Sequence, residues 1–178
     1  MSIKPPLDLA SASKVLKNSK RILILGAPGA GKSTLACHLS NKLKKPIISL
    51  DQYYWQNDWK PLSHEAFVRI CLDLVKKDEW IMEGNFGMTF DIRWSRADMV
   101  IFLDPSPWLC FLRQLKRFLL PKSAPLRPAH CKERVNLQLF WLTMKFRKSH
   151  GLLIEKKMRE KFPSMPFLRI EKIKELTS

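Results

Sequence analysis

Eight residues constrain this chain more than any others: Gly26-Ala27-Pro28-Gly29-Ala30-Gly31-Lys32-Ser33 satisfies G-x-x-x-x-G-K-[ST] at every fixed place. The apolar run Arg21-Ile22-Leu23-Ile24-Leu25 precedes it, and Leu35, Ala36, Leu39 and Leu43 follow at helical spacing. The expected local structure is therefore a buried strand, a tight glycine turn and a helix. Glycines at those places let the backbone N–H groups converge on phosphate oxygens, while the helix directs its positive end at the same anion. In that arrangement Lys32 is expected to bridge the β- and γ-phosphates of ATP and Ser33 to hold Mg2+.

Four more short apolar runs are read as strands: Pro46–Leu50, Trp80–Glu83, Met99–Leu103 and Phe167–Ile170. Helical spacing predicts helices over 62–77, with Ser63 as its cap, over 108–120 and 132–148, and over a short stretch before Pro163. Parallel neighbours need crossover connections, so the expected class is α/β: a five-stranded parallel sheet with helices on both faces and a small lid. Residues 1–20 read as a polar leader, and residues 1–178 as one domain with a lid region at 113–148. Pro121, Pro125 and Pro128 predict an irregular flap between two helices. Trp108, Phe111, Trp141 and Phe146, at helical spacing, are assigned to the core.

Ligands of such a sheet bind at the carboxyl ends of its strands, where Asp51, Glu83, Gly84 and Asp104 fall beside the glycine loop. Asp51, followed by Gln52, Tyr53, Tyr54 and Trp55, is expected to face a phosphoryl acceptor and take the proton of its hydroxyl. Tyr54 belongs to an aromatic group suited to covering a planar or sugar-like molecule. Gly84 would allow close approach, and Asn85 and Arg93 would contact the acceptor; Gly84-Asn85 equally suits a plain turn. Asp104 ends Val100-Ile101-Phe102-Leu103 in a Walker-B pattern and is a candidate magnesium ligand; Asp104-Pro105 equally suits a turn or a helix cap. Arg113 and Arg117 share a helix face, and Arg117 and Arg127 are the candidates for stabilising charge on the transferred phosphoryl.

Charge sharpens the class. The chain carries +16, and residues 106–178 hold 17 basic residues against five acids. Such a half suits polyanionic partners: nucleotides, nucleic acid or an anionic membrane face. The four cysteines, Cys37, Cys71, Cys110 and Cys131, have no C-x-x-C pairing and read as buried or half-buried thiols of a reducing compartment. No apolar run is long enough to span a membrane, and the first twenty residues contain no secretory h-region, so a cytoplasmic address is expected. No N-K-x-D serves a GTPase, since Asn41-Lys42-Leu43-Lys44 lies inside a predicted helix.

With Thr34 added, the glycine loop resembles that of adenylate kinases and their small-kinase relatives. Leu50 to Trp55, Trp80 to Phe86 and Arg96 to Asp104 resemble the adenylate-kinase-like group of DNA topology modulation (FlaR-type) proteins. This resemblance, over residues 21–148, implies a P-loop kinase fold of strand order 2-3-1-4-5, MgATP as cofactor, a mobile arginine-bearing lid, and Asp51 facing the acceptor as in shikimate-type kinases. Two functions follow as expectations. One is transfer of the γ-phosphoryl of ATP to a nucleotide, nucleoside or small hydroxylated acceptor; the other is nucleotide-dependent nucleic-acid binding with slow ATP turnover.

Overall fold

The computed structural model describes residues 7–120, 126, 128 and 137–177. Five strands, β1 (Arg21–Gly26), β2 (Ile47–Ser49), β3 (Trp80–Glu83), β4 (Met99–Leu103) and β5 (Phe167–Ile170), form one sheet in the order β2-β3-β1-β4-β5. All pairings are parallel, with Leu23 of β1 opposite Met82 of β3 and Val100 of β4. Ile22 to Leu25, Ile81 to Met82 and Met99 to Leu103 are essentially inaccessible to solvent. Runs apolar at every position, rather than alternating, are what a sheet covered on both faces requires.

Helices α1 (Leu9–Asn18), α2 (Lys32–Leu43), α3 (Asp51–Tyr54), α4 (His64–Leu74), α5 (Phe90–Trp94), α6 (Pro107–Leu119), α7 (Leu137–Phe146), α8 (Leu152–Lys161) and α9 (Lys174–Thr177) connect and cover the strands. A π-helical turn at Arg147–Gly151 joins α7 to α8. The Ser63 cap holds: its hydroxyl accepts from the Ala66 amide at 3.3 Å. Strands β3, β4 and β5 have the bounds read from the sequence, and the strand order is the one the resemblance implies.

Two readings change. The polar leader contains α1, capped by Asp8, whose carboxylate accepts from the Ser11 amide at 2.9 Å. Only Ala12 and Leu16 of that helix are buried, too few contacts to show as periodicity. Trp108 and Trp141 are not core: they are 63% and 61% exposed, whereas Phe146 is buried. Arg127, Cys131 and residues 132–136 of the expected helix lie outside the described residues. Of the expected lid region, 113–119 belongs to α6 and 137–146 to α7.

Candidate nucleotide site

The glycine loop leaves the end of β1, the middle strand, and enters α2 at Lys32. Gly26 has φ +146°, and a Cβ there would stand 2.3 Å from the Leu103 carbonyl oxygen. Gly29, at φ +78°, would meet the Cys110 carbonyl oxygen at the same distance. Both positions therefore demand glycine for backbone shape and for space. Gly31, also left-handed, stands at the N-terminus of the 12-residue α2. This succession of left-handed glycines before a helix start is the backbone of an anion cradle.

α6 fixes the loop from one side. The Arg113 guanidinium donates to the Ala30 carbonyl at 2.7 Å, and the Gln114 amide donates to the Pro28 carbonyl at 3.3 Å and to the Thr143 hydroxyl at 2.9 Å. From the other side, the Asn85 side chain clasps Gly26: its oxygen accepts from the Gly26 amide at 3.2 Å and its nitrogen donates to the Gly26 carbonyl at 2.9 Å. Asn85 thus holds the loop rather than an acceptor.

Arg93 is also reassigned. It is fully buried, and its guanidinium donates to the Thr89 hydroxyl and to the carbonyls of Gly84, Asn85 and Phe86. Burial lowers its pKa to about 9, still above neutrality. With its donors spent on one backbone turn, it shapes the Gly84–Phe86 segment that carries Asn85. Gly84 is likewise packed rather than open, since a Cβ there would lie 3.0 Å from the Leu50 side chain and 3.3 Å from the Phe86 ring. Arg93→Ala would leave the carbonyls of Gly84 and Asn85 without their donor and open a cavity in the core, and we expect it to destabilise the fold by ~3 kcal/mol or more. Denaturant unfolding would measure that loss.

Lys32 bends back over the loop, its Nζ donating to the carbonyls of Gly26 at 3.0 Å and Ala27 at 3.1 Å. Burial pulls its pKa down from the usual lysine value, and the negative charges of Glu83 and Asp51 act against that fall. Glu83, at the end of β3, is 2% exposed and accepts a hydrogen bond from the Ser49 hydroxyl, with the Ser33 hydroxyl close enough to favour its carboxylate form. Burial raises its pKa, while Lys32 and the two hydroxyls favour the carboxylate. Asp51, at the start of α3, accepts from the Trp55 indole at 3.3 Å and adds its charge to both neighbours. Four elements therefore bring one lysine, two carboxylates and two hydroxyls to a single place beside the loop.

Asp104 is not in that group. Its buried carboxylate pairs with Arg169, through Nε at 3.0 Å and through Nη2, and with Arg147 Nε at 3.0 Å. With both guanidiniums on its Oδ2, Asp104 is engaged in an ion-pair network that also takes in Glu155 and Glu171, rather than at the magnesium site expected of it. The acid beside Ser33 is Glu83. Its sign in the sequence was a carboxylate closing an apolar strand, the feature that also drew attention to Asp104.

Tyr54 lies in an aromatic cluster, with ring centroids 4.8 Å from Trp55, 4.9 Å from Phe67 and 4.7 Å from Phe86. On the outer side of this segment, Gln52, Tyr53, Trp55, Gln56, Asn57 and Lys60 surround an open depression of about 510 Å³. In the chain between Asn57 and Lys60, Asp58 and Trp59 are both in left-handed backbone, at φ 59° and 61°. Such strain in side-chain-bearing residues costs ~1–3 kcal/mol apiece and gathers at functional segments. Thr34 is exposed beside the half-buried Ser33, and Arg117 lies one turn beyond Arg113, near enough for its charge to depress the Lys32 pKa.

The Novel STAND NTPase 3 family model matches residues 8–67. Over 86 residues the chain is 36% identical to Uncharacterized protein YqaC of Bacillus subtilis (strain 168), a stretch covering 47% of this chain and 48% of that one. The match thus spans about half the length of this curated relative. Among solved structures, shikimate kinase from Acinetobacter baumannii in complex with shikimate is similar, with a TM-score of 0.56 at 17% identity, over 90% of this chain and 87% of that one. Shikimate kinase from Bacteroides thetaiotaomicron gives a TM-score of 0.51 at 18% identity, over 87% and 88%. The fold is that of the P-loop kinases.

Proposed function

We propose that the protein is an ATP-dependent phosphotransferase acting on a hydroxyl-bearing small molecule or nucleotide. The observation that carries this reading is the convergence of Lys32, Ser33, Glu83 and Asp51 beside the glycine loop. A nucleotide hydrolase needs a positioned water, whereas this site adds a second carboxylate, Asp51, next to a depression lined by amide, aromatic and lysine side chains. In the transfer, the acceptor oxygen bonds to the γ-phosphorus as the bond from that phosphorus to the β,γ-bridging oxygen breaks. The acceptor proton passes to Asp51, and ADP departs.

The loop and the α2 N-terminus hold the β-phosphate, and Lys32 turns from the loop carbonyls to the phosphoryl oxygens. Ser33 and Glu83 offer hard oxygen donors side by side, which fits Mg2+. Bound there, the cation neutralises phosphate charge. Arg117 and Arg127 are the arginines proposed to meet the charge that develops on the phosphoryl group. The resemblance to FlaR-type proteins supports the same loop and the same aspartate without naming an acceptor.

The experiment separates the two carboxylates from the loop. Asp51→Asn should retain the ATP-induced rise in melting temperature yet lose at least ~10²-fold in transfer rate. Transfer at the original rate in that variant would remove Asp51 from the reaction. The nucleic-acid reading makes the opposite demand: retention of duplex DNA that responds to nucleotide and weakens steeply with salt.

A further inference from the structure

α6 is inverted relative to the ordinary helix of a globular domain. Cys110, Arg113, Gln114 and Arg117 recur at i, i+3, i+4 and i+7, and this largely polar face is the one pressed on the glycine loop. The opposite face presents Trp108, Leu112, Leu115 and Leu119 at i, i+4, i+7 and i+11, with exposures of 63%, 57%, 45% and 66%. Trp141 of α7 extends the same apolar area: Phe140 beside it packs 4.8 Å from Phe111 of α6, and Trp141 is 61% exposed. A soluble surface rarely leaves so many large apolar groups together without a partner to cover them.

We propose that this face docks on an anionic lipid surface. Charge selects the occupant. Between Pro105 and Ile154 the sequence contains ten basic residues and a single acid, Glu133; of the ten, Arg113 and Arg117 lie on the inward face of α6, Arg147 pairs with Asp104, and Lys122, Arg127, Lys132 and Arg134 are outside the described residues. Lys116 is exposed on α6, and the Lys145 ammonium lies 5.9 Å from the centre of the Trp141 ring. A second copy of the chain would set this basic region against itself, with almost no acid to answer it. A nucleic acid would satisfy the lysines but offers no hydrocarbon to Leu112, Leu115 and Leu119. Anionic lipid meets both demands: acyl chains take the leucine and tryptophan side chains while headgroups meet the lysines at the rim. No described helix is long and apolar enough to cross a membrane, so the docking is peripheral. The inference rests on exposure and charge, independently of the phosphotransferase reading.

The test is co-sedimentation of the whole protein with vesicles of phosphatidylcholine, with or without about one-third phosphatidylglycerol, at low salt. The protein should pellet with the anionic vesicles and stay in solution with the neutral ones, and its tryptophan emission should shift to the blue. Leu112→Ser/Leu119→Ser should weaken binding by ~10-fold or more with an unchanged melting temperature, because two apolar side chains are withdrawn from the bilayer. Trp108→Ser, at another exposed site, should weaken it independently. Failure of the native protein to pellet would overturn the proposal. So would equal pelleting of native protein and double variant, which would reduce the effect to charge alone. Sedimentation equilibrium showing a dimer that the double substitution splits would give the face to a second copy. Loss of duplex DNA retention through the same two leucines would give it to nucleic acid.

Discussion

Lys32→Ala is expected to lower ATP turnover by at least ~10³-fold and to remove most of the thermal stabilisation that ATP confers. The Lys32 Nζ bonds to two loop carbonyls, through contacts of about 3 Å. Its loss should therefore spare the fold. For the native protein, ATP at ~100 times its dissociation constant contributes ~2.7 kcal/mol, a rise of several degrees in a chain of this size. A thermal melt of the variant with and without MgATP checks both halves of the statement. Truncation also frees Glu83 and Asp51 from their cation, so the empty variant should melt slightly lower than the native protein.

Arg117→Ala is the second large effect. α6 positions this arginine one turn beyond Arg113, within electrostatic range of Lys32, while Arg113 is already committed to the Ala30 carbonyl. An arginine that meets the developing phosphoryl charge is worth ~10³-fold or more in rate, whereas one merely solvated is worth almost nothing. We expect Arg117→Ala to lower kcat by about that factor with little change in ATP affinity. Single-turnover transfer beside equilibrium ATP binding measures the two separately. A wild-type kcat would assign Arg117 to packing.

Much of this architecture was legible in the sequence because it is local. A four-residue apolar run, a loop with two obligatory glycines and a helix of 3.6 periodicity specify one another over some twenty residues. Three strands kept their bounds for the same reason. What escaped depends on partners distant in the chain. Asp104 and Glu83 both close apolar strands, yet one meets Arg147 and Arg169 and the other meets Ser33, Ser49 and Lys32. No spacing rule separates them. Arg93 and Asn85 looked like ligand-binding groups because charged and amide residues near a glycine usually face solvent; here the same chemistry satisfies buried carbonyls and clasps Gly26. α6 misled in the other direction. Trp108 and Trp141 had the spacing of core residues, but the glycine loop took the polar face of the helix and left its apolar face outward.

On the proposed reading, this site moves a phosphoryl group to an acceptor bound beside Asp51. Incubating the protein with MgATP and pools of nucleosides, nucleoside monophosphates and small polyols, then weighing the products by mass spectrometry, tests it directly. One acceptor class should gain a single phosphoryl group in step with ADP formed, a product absent from Lys32→Ala and Asp51→Asn. ADP and inorganic phosphate appearing at the same rate with every pool, with no phosphorylated acceptor, would contradict it.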